Sequence, residues 1–397
     1  MRLLFAHDHR FFRGPAGKMY TTGALPAALW ERYLEHFEEV HVVARDEGNV
    51  PEGMSLGRSD RDRVGFEFLP SLSSLRQLIL RSPELERRMH DAVASADAVV
   101  ARLPSEIGHL AVRHAKALGK PYAVEVVGCA WDGYFNNGAP AARLYAPLAL
   151  MRARKAVGDA PLALYVTSSW LQNRYPTSGF RASASNVQVR PMTAAEDERR
   201  DTRLAALSAG EKPVLGTIAS LRIKSKGIQT ALAALGRLRS EGLDCTYRVL
   251  GAGPVEPWRQ LAQIFGLADH VHFDGTRSAG DDVLAWLDGI DIHLQPSFQE
   301  GLPRSTIEAM SRGCACIGST CGGIPELLPA RRVHRPGDVA GLQARIRSLT
   351  TDPPAIAEAS RADRTTAGDY DSEILKGRRS AFYAELRKMV DERRVKS

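Results

Sequence analysis

Apolar positions fall along this 397-residue chain in short continuous runs, set apart by longer stretches where they recur every three or four residues. Short runs suit strands buried on both faces of a sheet, and the longer spacing suits helices lying against them. Residues 3–6 form the first run. A glycine-containing segment at 14–23, helical spacing over 25–37 and a second run at 40–44 follow, which reads as strand, loop, helix, strand. Further strands are predicted at 98–101, 122–127 and 162–167, with a helix over 107–118. A polar stretch at 193–203 reads as a linker or surface helix, after which strands are predicted at 214–219, 247–250, 270–273, 290–295 and 315–318. This alternation predicts an α/β fold of two Rossmann-like domains with parallel sheets, at 1–192 and 193–370. The charged tail 371–397 reads as a helix, either solvated or packed back on the first domain.

Composition agrees with this picture and narrows the function. With 44% apolar and 25% charged residues the chain has enough hydrophobic content to build two cores and too much for disorder. It contains no run of about 18 apolar residues and no signal-peptide layout after Met1, so a cytoplasmic protein is expected. The five cysteines, Cys129, Cys245, Cys314, Cys316 and Cys321, lack the spacing of a disulfide framework or zinc site and read as reduced packing residues. A net charge of +7, leaning toward the N-terminal half, asks for an anionic partner. No basic run interleaved with stacking aromatics appears, so nucleic acid is not expected.

Three predicted strand-to-helix junctions in the second half carry unusual chemistry. The first holds Arg222, Lys224, Lys226 and Gly227 just before an apolar helix. Cations there oppose the helix dipole; a bound diphosphate would explain them, and a solvated basic turn is the alternative. The second ends in Gly251 and Gly253, which suit either close approach to a ligand or a tight turn. The third is the run from Gln295 to Met310. Here Glu300 precedes a helix, Gly301 permits an unusual turn, Pro303 suits a helix start, and Ser305 and Thr306 offer hydroxyls near its positive end. Glu308 lies on the helix, where a capping box with Ser305 is its alternative role.

In their order these junctions resemble the C-terminal domain of retaining GT-B glycosyltransferases of the group 1, mannosyltransferase-like kind, over about residues 212–345. The resemblance rests on Glu300 and Glu308 with seven residues between them, then Gly313, then Gly322, Gly323, Ile324, Pro325 and Glu326. It implies that Glu300 contacts the donor sugar and Glu308 the nucleotide ribose. Arg222 and Lys226 would hold the diphosphate with the backbone of Leu302, Pro303 and Arg304, while residues 273–277, ending in Arg277, would lie near the nucleobase. The family's arginine usually stands earlier, which leaves Lys224 as a rival to Arg222. It further implies two domains facing a cleft, transfer with retention from a nucleotide-diphosphate sugar, and no bound divalent metal or other cofactor.

The N-terminal half matches less closely. The loop Gly14, Pro15, Ala16, Gly17, Lys18 stands where relatives close a glycine-rich loop on the donor, so Gly17 is a donor-binding candidate. No histidine follows the strand at 122–127, leaving Asp132 as a candidate catalytic contact, with His109, His7 and His9 as further candidates. Residues 141–157 combine Leu144, Tyr145, Leu148, Leu150 and Met151 with Arg143, Arg152, Arg154 and Lys155. Peripheral contact with an acidic membrane is one reading, and a partly buried helix with a basic end is the other. The membrane reading would make the acceptor a lipid-linked saccharide in surface polysaccharide or glycolipid synthesis. A catalytically silent subunit of the same fold and a nucleotide-sugar 2-epimerase are the rival functions; an NAD-dependent oxidoreductase lacks its glycine fingerprint here.

Overall fold

The computed structural model describes residues 1–52, 54, 56–69, 83–136 and 138–396. They form two compact units, Met1–Ala184 with Lys376–Ser397, and Ser185–Leu375. The change of unit therefore falls before the polar stretch rather than at 192/193. Residues 185–192 join the second unit because Val189 pairs with Asp371, and its carbonyl accepts from the Ser372 amide and hydroxyl.

In the first unit β1 (Arg2–Arg13) lies between β3 (Glu39–Asn49) and β6 (Ala98–Leu103), and the parallel set continues outward through β5 (Val64–Leu69) on one side. On the other side it continues through β7 (Tyr122–Val126), β8 (Leu162–Tyr165) and β9 (Phe180–Ser183). The predicted first strand is too short. After Ala6 the chain shifts register, leaves β6 and runs on beside β3 as a second stretch of extended backbone. It then folds back through residues 14–18 into the antiparallel β2 (Met19–Thr21), which pairs with β4 (Gly57–Arg58). The Gly17 loop is thus the tip of a hairpin and does not lead into a helix. The helix expected over 25–37 shortens to a 3-10 turn at Ala27–Trp30 and one α-turn at Glu31–Leu34.

The C-terminal helix Ser372–Lys396 returns to the first unit and anchors there by chemistry as well as packing. Tyr33 and Tyr383 both donate to Glu125 Oε1, at 2.6 and 2.5 Å, while Arg102 donates to Oε2 at 2.8 Å. Glu125 is 3% exposed. Burial alone would raise its carboxyl, but the Arg102 charge and the two phenols outweigh that and hold it down at about 2.

The second unit is a six-stranded parallel sheet in the order β12 (Val271–Phe273), β11 (Thr246–Leu250), β10 (Val214–Ile218), β13 (Ile292–Gln295), β14 (Ala315–Ser319), β15 (Val333–His334). Helices Ile228–Ser240 and Val339–Thr350 turn Ile228, Leu232, Leu235, Leu342 and Ile346 into one core with Leu215, Val249, Ile292 and Ile317 of the strands. Each such aliphatic side chain contributes about 1.5–3 kcal/mol by leaving water. The polar stretch after 193 is a helix, Ala194–Ser208, opened by a capping box between Thr193 and Glu196. It is more than a surface helix: Arg200 is buried and donates to the Ile290 and Leu287 carbonyls. Strand order reverses at β10, whose neighbours are β11 and β13, and ligands of open parallel sheets bind at the carboxyl ends on either side of such a point.

Candidate active site

The loops at that point are packed against one another by glycines that no other residue replaces. Gly227 has a φ of 77°, and a Cβ there would lie 1.9 Å from the Pro296 carbonyl oxygen. The loop after β10 thereby touches the loop after β13, and the Phe298 amide donates to the Ser225 carbonyl at 2.7 Å. A Cβ on Gly251 would meet the Ala219 oxygen at 1.8 Å, and one on Gly253 the Arg222 nitrogen at 2.8 Å. The Gly251 amide donates to Gly275, which brings in the loop that ends in Arg277. On the far side Gly322 lies against the Glu300 carbonyl, and the Gly323 amide donates to Gly301. The candidate residues of the second half, from Arg222 to Arg304, therefore gather on adjoining loops and the helix starts that follow them.

At the centre Lys226 Nζ lies 2.7 Å from Glu300 Oε1, which also accepts from Gln295 Nε2 at 2.9 Å and Ser297 Oγ at 2.8 Å. The Lys226 and Glu300 side chains are 27% and 8% exposed, so the pair is screened from bulk water yet open enough to meet a ligand. Two helices start beside it, Ile228–Ser240 after Gly227 and Arg304–Ser311 after Pro303, and neither has a side-chain cap. Their first N–H groups and positive dipole ends favour an anion. Arg222, Lys224, Arg277 and Arg304 are exposed, and Leu302 and Pro303 are buried.

The capping box between Ser305 and Glu308 does not form. Pro303 occupies the N-cap position rather than the first turn, and the Ser305 hydroxyl donates to Gln295 Oε1 at 2.9 Å. Glu308 is half-buried on that helix, and burial pushes its carboxyl up against the opposing pull of Arg304. The sequence reading left Gln295, Ser297 and His293 without a role. Their signal was two polar residues, His293 and Gln295, two apart in an otherwise apolar strand, which puts both on one face.

The first unit treats its helix start differently. Asp8, just past the pairing of β1 with β6, accepts from the Glu106 and Ile107 amides at 2.8 and 3.0 Å. Ser105 caps the same helix, Glu106–Ala117, through Gly108. These N–H groups are therefore taken by the protein's own oxygens. His109 and Asp8 line a cavity of about 210 Å³ with Ser105, Glu106 and Tyr134. His7 and His9 are turned to other partners, the Arg102 carbonyl and Thr21, and burial holds both imidazoles down at about 4. Asp132 lies in the first turn of helix Ala130–Phe135, 3.8 Å from Arg174. The cap of that helix is Cys129, and burial pushes the Asp132 carboxyl up.

Comparison with known proteins finds similarity to glycosyltransferases. Residues 212–352 match the family described as glycosyl transferases group 1. Over 397 residues, 99% of this chain and 97% of the other, the sequence is 27% identical to Protein CapJ of Staphylococcus aureus. It is 31% identical over 191 residues to the putative colanic acid biosynthesis glycosyltransferase WcaL of Salmonella typhimurium, covering 45% of this chain and 47% of that protein. Anabaena HepE, solved in complex with UDP and glucose, superimposes with a TM-score of 0.66 at 15% identity, covering 96% of this chain and 99% of that one. The chain has the two-domain α/β fold of GT-B type, and it is over residues 212–352 that it is similar to the group 1 glycosyl transferases.

Proposed function

We propose that this protein transfers a sugar, with retention of configuration, from a nucleotide-diphosphate sugar to a saccharide or lipid-linked acceptor. The observation that carries the proposal is the Lys226–Glu300 pair between two uncapped helix starts at the carboxyl ends of β10 and β13. Sugar transfer builds negative charge on a leaving diphosphate, which fixed cations and N–H groups stabilise, while a carboxylate is suited to sugar hydroxyls. In this reading Lys226, Arg222 and the helix start after Pro303 hold the diphosphate, Glu300 meets the sugar and Glu308 the ribose. The cations then take the part a divalent metal plays in other transferases. The complex of HepE with UDP supports a uridine nucleotide as the first donor to try. The colanic acid role in the name of WcaL supports a surface polysaccharide as the product.

Thermal stabilisation by UDP, GDP, ADP and their common sugar conjugates, with EDTA present, tests the donor site. One nucleotide is expected to stabilise the protein, by about 2.7 kcal/mol at a hundred times its Kd, and Glu308→Ala is expected to weaken that effect. No stabilisation by any of them would refute the donor site. Stabilisation without product in an acceptor screen would favour a silent subunit.

The helix Pro140–Gly158 supports work at the inner face of a membrane. Its inward face is built from Tyr145, Ala146, Ala149, Ala153 and Val157, with Arg152 paired to Glu106, while Leu144, Leu148 and Met151 are 83, 50 and 67% exposed. Arg143, Arg154 and Lys155 are also exposed, and the helix contains no acidic residue. Large apolar groups and cations turned outward together are the arrangement of an interfacial helix on anionic lipid. Among the described residues no helix is long and apolar enough to cross a membrane. The protein is expected to sediment with phosphatidylglycerol vesicles but not with phosphatidylcholine vesicles. Joint replacement of Leu144 and Met151 by serine should weaken the binding by roughly tenfold or more. Equal binding to both lipids would oppose this reading.

A further inference from the structure

We infer that Gln295 is a positioning residue that anchors one oxygen of Glu300 and leaves the other facing the donor; this rests on the reading of Glu300 as the sugar contact. Gln295 closes β13 and is 1% exposed. A buried amide has two chemically different ends, and here its surroundings distinguish them. Its Oε1 meets His293 Nε2 at 3.1 Å, Ser305 Oγ at 2.9 Å and Thr306 Oγ1 at 3.4 Å. Its Nε2 meets Ser297 Oγ at 2.8 Å and Glu300 Oε1 at 2.9 Å. Turning the amide over would set a carbonyl oxygen against a carboxylate oxygen, so the charge on Glu300 fixes the orientation. Fully buried and held down at about 4, the His293 imidazole is neutral and donates through Nε2.

Lys226, Gln295 and Ser297 all address the same oxygen, Glu300 Oε1. Among the described residues no hydrogen bond reaches Oε2. The carboxylate is thus held by one atom and offers the other. Ser305 and Thr306, in the first turn of helix Arg304–Ser311, thereby hold the far end of the amide and leave its Nε2 directed at Glu300. Positions built this way supply pre-organisation rather than contact.

The test compares each nucleoside diphosphate with its sugar conjugate in the UDP, GDP and ADP panel by calorimetry. The quantity of interest is the contribution of the sugar to affinity. Glu300→Gln is expected to reduce it, and Gln295→Met to reduce it by a similar factor, roughly tenfold, the size of one hydrogen bond to a charged group. Affinity for the bare diphosphate should remain in Gln295→Met, and the double variant should be no weaker than Glu300→Gln alone, because both changes remove one interaction. A purely structural Gln295 would instead weaken diphosphate and conjugate alike. An intact sugar contribution in Gln295→Met, with loss in Glu300→Gln, would overturn the inference and leave the role of Glu300 standing. An intact contribution in Glu300→Gln removes that role and this inference with it. Should Gln295→Met not fold, Ser297→Ala must lower the sugar contribution in part, and no change there would also overturn it.

Discussion

Lys226→Ala is expected to slow sugar transfer by about 10²- to 10³-fold, the cost of losing one fixed donor from a site where charge develops. Two consequences add in the same direction. The substitution removes a cation from the proposed leaving diphosphate, and it leaves Glu300, 8% exposed, without the ammonium 2.7 Å away. Lys226→Arg should restore little, because a planar guanidinium cannot take the place of a compact ammonium beside the two other donors gathered on one carboxylate oxygen. Release of nucleoside diphosphate at saturating donor measures the rate. An unchanged rate in Lys226→Ala would take this lysine out of the leaving-group site and shift the role toward Arg222 or Lys224.

The second large effect is on stability. Glu125→Ala should destabilise the first unit by about 3–5 kcal/mol, since it leaves the Arg102 guanidinium buried without its partner and orphans two phenols. The same carboxylate gives a pH dependence whose sign follows from its depressed value. Ionised Glu125 contributes fully above its ordinary pKa of 4.5, and that contribution is lost as pH falls toward about 2. The loss amounts to about 3 kcal/mol over that interval. Urea unfolding followed between pH 2 and 6 should therefore be steeper in the parent than in Glu125→Gln. Identical slopes would mean that Glu125 does not carry the acid sensitivity of this unit.

How much of this could be read from the sequence depended on how local the cause was. Strands β10 to β14 were legible because each gathers two or three apolar residues within at most five positions. Strand β1 was cut short because His7, Asp8, His9 and Arg10 break the apolar pattern, yet the backbone stays extended by pairing with β3. Strand β5 was missed although Val64, Phe66 and Phe68 alternate along it, and β9 offered only one apolar side chain of size, Phe180. In the site, Lys226, Glu300 and Glu308 stood out because each belongs to a short motif. The anchoring of Glu300 by Gln295 needed the strand end and the following loop in three dimensions. The capping of a helix start by Asp8 joins residues 98 positions apart, and no local pattern announces it.

The return of the C-terminal helix also bears on synthesis. The first unit is built from Met1–Ala184 and Lys376–Ser397, with the whole second unit between them in the chain. Glu125 has its first phenol early, from Tyr33, and its second only once Tyr383 has been translated. A chain leaving the ribosome N-terminus first thus completes its contiguous second unit before its first. The half that is made first is finished last, and a message truncated before residue 376 yields a whole second unit joined to a first whose core is still open.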